Sequence, residues 1–236
     1  MNLLTTFTGK QIMEDIRIEK IIRSKRKTIA LQVTDNATLI IRAPYDIDEE
    51  TLLKVMLKHE KWIRKKIEEI KSRDPKVRKK EFVNGEGFLY LGKSYKLKIV
   101  DEQDVPLRFD NGFYLLREYL PVARNIFINW YKERAYEKIK ERVEFYAQKR
   151  GLKYNCINIT NAEKRWGSCS DKGNLNFSWR LIMAPLPVID YVVVHELVHL
   201  VEKNHSKEFW NKVKLLMPDY EKYKNWLKKY GYLLTL

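Results

Sequence analysis

Three of the chain's four histidines, His195, His199 and His205, fall within eleven residues, and Glu196 stands beside the first of them. On a helix, residues four apart share a face at about 6 Å, so His195 and His199 can aim two imidazoles at one ion. Glu196 then lies within reach of a water on that ion, which is the His-Glu-x-x-His arrangement of zinc hydrolases. Two ligands leave zinc undercoordinated, and catalytic sites generally add a third protein ligand and keep one position for water. Glu202 sits two turns from His195, roughly 10 Å along the axis at 1.5 Å per residue, too far to chelate the same ion. Glu208 falls inside the next expected helix. His205 is the best third ligand, delivered by a bend near Lys203 and Asn204, since asparagine tolerates a left-handed turn. Ser206 would then cap the helix that follows. Burying two histidines and a glutamate on a helix apolar on nearly every face costs several kcal/mol unless something compensates them, and zinc does so directly.

Several stretches carry a resemblance to a known family. They are Lys164-Arg-Trp-Gly-Ser-Cys-Ser170, the run from Leu175 to Pro185, Asp190-Tyr-Val-Val-Val-His-Glu-Leu-Val-His-Leu200, and Asn204-His-Ser-Lys-Glu-Phe-Trp210. Together they resemble the YgjP-like metallopeptidase domain, whose wider relatives are the SprT-like and WLM zinc peptidases. The resemblance runs forward through Trp130-Tyr131, Tyr90-Leu-Gly92 and Gly85-Glu86 to Arg23-Ser-Lys-Arg-Lys-Thr28, so it covers nearly the whole chain. It implies a zincin-type catalytic domain, zinc held at His195, His199 and His205, and a catalytic base at Glu196. The spacing is also similar to that of metzincins, which carry glycine where this chain has Glu202. That departure moves the expected turn to Asn204. Met217-Pro218 could stand as a methionine turn, but a core methionine ending a helix is the reading preferred.

Zinc would lower the pKa of a bound water and polarise the substrate oxygen, while Glu196 shuttles the proton to the leaving group. A donor should face the developing charge, and Tyr220, Tyr191 and Arg165 are the candidates. Residues 165–170 read as a strand that could pair with an extended substrate, with Gly167 permitting close backbone approach. Asp190, Glu202 and Glu208 are candidate partners for orienting the histidines.

These residues must be positioned by a mixed set of elements. Residues 15–43 alternate as strands, with a turn at Asp35-Asn36 between 29–33 and 39–42. Asp48 caps one helix carrying Leu52, Met56, Ile63, Ile67 and Ile70, broken by Pro75 and the basic run 76–80. Strands return over 81–117. Pro121 opens a long helix to about Arg150, ended by Gly151, with Ile126, Trp130, Ala135, Ile139, Val143 and Tyr146 as its buried stripe. Strands at 156–160, 165–170 and 175–179 precede the histidine helix at 188–202, and helices at 207–217 and 220–229 follow. The fold expected is α+β: a β-rich N-terminal half with one helix (1–118), packed with a zincin-like α/β catalytic domain (119–236).

Lysine and arginine outnumber aspartate and glutamate 46 to 31, a net charge of +15. That excess suits a polyanionic partner: nucleic acid, nucleotide or another acidic surface. Arg23, Arg26 and Lys27 form the densest run and are the candidates for holding an anionic substrate. The two cysteines, Cys156 and Cys169, make no disulfide framework. The opening residues lack a signal pattern, and no apolar run reaches membrane length. The expectation is a cytoplasmic protein with no membrane partner. The leading functional reading is a zinc-dependent peptidase. The alternatives are a zinc-dependent nucleotide or phosphoanhydride hydrolase, and a nucleic-acid-associated module with structural zinc. A structural site has no use for Glu196 and usually closes its fourth position with protein, which weighs against the last.

Overall fold

The computed structural model describes residues 16–34, 36–72 and 80–236. The chain forms two compact units, Met1–Lys76 and Val77–Leu236. Of the sequence features named above, Asp35, Pro75 and residues 76–79 lie outside the described residues.

The first unit holds a three-stranded sheet of β1 (Ile18–Ser24), β2 (Ala30–Val33) and β3 (Leu39–Pro44) in the order β1-β3-β2. β1 runs parallel to β3, and β2 pairs antiparallel with it from Val33↔Leu39 to Ala30↔Arg42. The central strand is buried almost throughout, as its unbroken Leu-Ile-Ile run requires. Leu39, Ile41 and Ala43 meet Leu52, Met56, Ile63 and Ile67 from the helices. Asp48 caps the first helix by accepting from the Thr51 amide at 2.6 Å. The single helix expected after Asp48 is two: α1 (Glu49–Lys58) and α2 (Glu60–Lys71), separated where His59 leaves helical geometry at φ −107°, ψ 10°. No residue type at 58–60 explains that break.

The second unit begins with β4 (Gly87–Tyr90), β5 (Lys93–Val100), β6 (Leu107–Phe109) and β7 (Phe113–Leu116), ordered β4-β5-β7-β6. A long helix α3 (Ala123–Gln148) follows, then β8 (Cys156–Thr160), β9 (Gly167–Cys169) and β10 (Asn174–Ser178), in the order β8-β10-β9. Helices α4 (Leu186–Val198), α5 (Lys207–Leu216) and α6 (Tyr220–Tyr230) complete it. The boundary between units falls after Lys76, where sequence patterning puts it at 118. The reason is packing: Phe88 and Phe113 from the first sheet lie against Phe127 of α3, at ring separations of 4.4 and 5.1 Å. One core therefore takes in both sheets and all four of these helices.

Within that core α3 buries Phe127, Tyr131, Ala135, Ile139, Val143 and Tyr146, with Ile126 and Trp130 only half-buried. Gly151, at φ +60°, ends the run as its glycine suggests. The β4–β5 turn braces the start of α4. The amides of Leu91 and Gly92 donate to the carbonyls of Ile182 and Met183 at 2.9 and 3.0 Å. Gly92 has φ +81°, and a Cβ there would stand 2.8 Å from Pro185 Cγ, so both backbone and space demand glycine. On the other side, Arg142 of α3 grips the buried Asp190 of α4 with two bonds of 2.6 and 2.9 Å. Val188 to Val194 are all buried, which accounts for the helix's apolar faces. No helix among the described residues is long and apolar enough to cross a membrane.

Candidate metal centre

His195 stands on the last turn of α4 and His199 caps its C-terminal end one turn on, their ring centroids 4.9 Å apart. The helix ends at Val198, a turn earlier than expected. The chain continues in tight turns, with the Glu202 amide donating to the Val198 carbonyl at 2.9 Å. His205 then folds back over the pair. Asn204 is not among the residues with positive φ, so the left-handed turn expected there does not form; the turns at 199–202 redirect the chain first. Ser206 caps α5 as expected, its hydroxyl accepting from the Phe209 amide at 3.3 Å.

The three Nε2 atoms converge: His205 lies 2.9 Å from His195 and 3.2 Å from His199. All three ligand atoms fall within 4.8 Å of one another. A tetrahedral ion with bonds of 2.0–2.1 Å separates its donors by about 3.3 Å, so the cluster is close to zinc size. His199 Nδ1 stands 2.9 Å from the Glu202 carbonyl. A carbonyl only accepts, so Nδ1 carries the proton and the Nε2 lone pair is free to ligate. Burial, with lesser contributions from His199 and His205, drives His195 down to about 3; burial also lowers His205. Both imidazoles are therefore neutral at neutral pH, the form a metal ligand needs. Three lone pairs facing one another are satisfied together by a single cation, and the donor set suits zinc. His195 Nδ1 is buried with no hydrogen-bond partner among the described residues.

Phe209, fully buried, forms the floor, with ring separations of 4.9, 4.6 and 4.7 Å from His195, His199 and His205. Trp210 packs against His195 and His205. Sequence reasoning missed this aromatic floor; its signal was Phe-Trp one turn into the helix that Ser206 caps. Met217 ends α5 as a core residue, as preferred.

Glu196 is buried at 5% exposure, and burial raises its carboxyl to about 8 while Arg165 pulls it down. Its side chain lies across Gly167, where an added Cβ would come within 2.6 Å of Glu196 Cγ and Oε1. The close approach expected of Gly167 is thus to the candidate base itself. β9 is the edge of its sheet, pairing only with β10 among the described residues. Arg165 is exposed just before it.

Other candidates take different places. Asp190 is held by Arg142 and by the Tyr146 hydroxyl at 3.3 Å, and is not among the partners of the histidines. The Glu202 side chain pairs with Lys212, so only its backbone serves His199. Glu208 sits in the first turn of α5 with its carboxyl lowered by backbone and Ser206 hydrogen bonds. Tyr191 packs edge-on to His195 at 5.9 Å, and burial pushes its phenol up to about 12. Tyr220 stacks on Trp210 at 5.3 Å, and its hydroxyl donates to Glu221 at 3.3 Å. Arg23, Arg26 and Lys27 belong to the first unit. Arg23 Nη1 donates to the carbonyls of Pro44, Tyr45 and Ile47 at 3.3, 3.4 and 2.5 Å. Arg26 Nη2 reaches Thr28 at 3.4 Å and Lys27 is exposed.

The model of the YgjP-like metallopeptidase domain family matches residues 27–230. No curated protein matches the chain. Among solved structures, the crystal structure of the metallopeptidase zymogen of Pyrococcus abyssi abylysin is similar over 39% of this chain and 95% of its own. Its identity is 19% and its TM-score 0.36.

Proposed function

Since this chain belongs to the YgjP-like metallopeptidase domain family, we propose that it is a zinc-dependent peptidase, with His195, His199 and His205 as ligands and Glu196 as general base. The observation that carries this reading is the convergence of three Nε2 atoms, with Glu196, the residue after His195, buried against the edge strand. Bound zinc would polarise the scissile carbonyl, acidify a water and favour the ionised form of Glu196. Arg165 acts on that carboxyl in the same direction. Glu196 accepts the water's proton and hands it to the departing amine. Its burial keeps it basic enough to hold the proton between those two events. The outer edge of β9 offers amides and carbonyls to an extended peptide, which would place the scissile bond near Gly167 and Glu196. The missing side chain at 167 leaves room for the carboxylate.

The nucleotide-hydrolase alternative finds no added support at Arg23, whose Nη1 donates to three backbone carbonyls. A structural zinc would be served by a fourth protein donor, and the cluster among the described residues has three. The test is Glu196→Gln, which keeps side-chain size and removes the base. It is expected to bind one zinc per chain like the parent and to lose about 10²–10⁴-fold in peptide turnover. A Glu196→Gln protein with parental turnover would refute the general-base role.

A further inference from the structure

The charges around the histidine cluster are paired unevenly. Several acidic side chains on the surrounding elements already have partners. Glu202 pairs with Lys212, and Asp171 with Lys203 at 3.9 Å. Glu163 pairs with Arg180 at 2.9 Å, and Glu221 accepts from the Tyr220 hydroxyl at 3.3 Å. Glu208 is held in the first turn of α5 by hydrogen bonds to its own backbone and to Ser206. Of the cations in no salt bridge among the described residues, two stand next to the site: Arg165, exposed before β9, whose charge also acts on the buried Glu196, and Lys224 on α6.

Lys224 is exposed on α6, yet it lies against the wall of the histidine cluster. Tyr220, Leu227 and Gly231 follow helical spacing along the inward stripe of α6 and its end, and all three are buried. Lys224 stands beside that stripe on the solvent side. Its ammonium sits 3.8 Å from the centroid of Trp210, and the same indole packs 5.8 Å from His205 and 5.9 Å from His195. The far end of the stripe reaches the other cation's neighbour: a Cβ on Gly231 would stand 2.9 Å from Trp166, the residue after Arg165. One helix thus runs from the aromatic wall of the histidine cluster to the root of the edge strand. An unpaired cation is presented along it, and a second at its end. Two exposed cations beside the cluster, neither in a salt bridge among the described residues, are placed to meet carboxylates of a bound peptide.

We propose that the site takes acidic peptides, with carboxylates flanking the scissile bond held by Arg165 on the β9 side and by Lys224 on the α6 side. The inference rests on the peptidase reading above and narrows its substrate. The carboxylates are supplied either by Asp and Glu side chains or by the peptide's own C-terminus.

The experiment uses the zinc-loaded full chain and two peptide pools. These are identical except that every Asp and Glu in one is replaced by Asn and Gln in the other, and each is made with free and with amidated C-termini. Cleavage is mapped and kcat and KM measured for the parent, Arg165→Gln and Lys224→Gln. In parallel, the Kd of both pools is measured for Glu196→Gln, which reports binding without turnover. Neutralising one flanking carboxylate is expected to raise KM and Kd about fivefold with little change in kcat, the scale of a solvent-exposed ion pair. The preference should weaken with salt. Arg165→Gln should erase it on one side of the cleaved bond and Lys224→Gln on the other. Loss of the preference on amidation assigns the bound carboxylate to the C-terminus; persistence assigns it to side chains. Equal KM and Kd for the acidic and neutral pools, or a preference unchanged in both variants, overturns the inference while leaving the peptidase intact. Failure of the parent to cleave any peptide overturns the peptidase reading, and the inference with it.

Discussion

Gly167→Ala is the most discriminating single change. The backbone at 167 is not in the left-handed region, so alanine brings no conformational strain of its own; the cost is one of space. Its Cβ would lie 2.6 Å from Glu196 Cγ and Oε1 and 2.8 Å from Cδ. Carbon atoms settle at about 3.5–4.0 Å, so the carboxylate must move by about 1 Å. Glu196 is buried and hemmed by α4, so it cannot swing away freely as a surface side chain would. Misplacing a reacting group by that distance costs on the order of 10²-fold in rate, and overpacking costs about 1–3 kcal/mol in stability. The three histidines are not displaced. Peptide turnover, bound zinc and Tm are measured on the parent, Gly167→Ala, Glu196→Asp and the double variant. The expected pattern is a single zinc in all four and a hundredfold loss in Gly167→Ala. The double variant should lose less than the two single losses combined, because aspartate is one methylene shorter and clears the new methyl. Parental turnover in Gly167→Ala, or strict additivity in the double variant, would refute the idea that glycine is there for Glu196.

Four further outcomes follow from the structure. His205→Ala should lose zinc in metal analysis, whereas Glu202→Ala should keep it, since Glu202 serves His199 through its backbone carbonyl and its carboxylate is paired with Lys212. In the metal-free protein His195 titrates near 3 against 6.5 when unfolded, so the unfolded chain binds more protons between those values and stability falls as pH drops through that window. Glu196, near 8 against 4.5, works the other way, and stability falls as pH rises from 4.5 to 8. Metal-free Glu196→Gln should therefore gain in Tm over the parent progressively across that upper window, and a pH-independent difference would contradict it. Arg142→Ala should cost about 3–5 kcal/mol in urea unfolding, because it strands Asp190, whose side chain is only 10% exposed. Removing the exposed Lys54–Glu50 pair should cost under about 0.5 kcal/mol.

Much of the site is legible in the sequence because short-range geometry determines it. Helical spacing puts His195 and His199 together, and a serine before an amphipathic run marks the cap that brings His205 back. Elements of both units were also readable, from the hairpin of β2 and β3 in the first to the long helix stopped by Gly151 in the second. What could not be read depends on contacts between distant segments. The strands of 87–116 look like part of the N-terminal half by composition, yet Phe88 and Phe113 fill the core beneath α3. Phe209 reads as an ordinary core residue until the three imidazoles are seen resting on it. The engagement of Arg23 Nη1 with backbone carbonyls more than twenty residues away leaves no local trace in the sequence. Lys224 is hidden for the opposite reason. Lysines crowd α6, and only the stacking of Trp210 on the histidines distinguishes this one.

The central claim is a zinc ion held by three imidazoles with one position left to water. Zinc K-edge X-ray absorption on the full chain tests it most directly. The account predicts one zinc per chain with three nitrogen neighbours and one oxygen, at about 2.0–2.1 Å. A zinc–sulfur shell near 2.3 Å, which would bring in Cys169 or Cys156, or a shell with fewer than three histidine nitrogens, would contradict it.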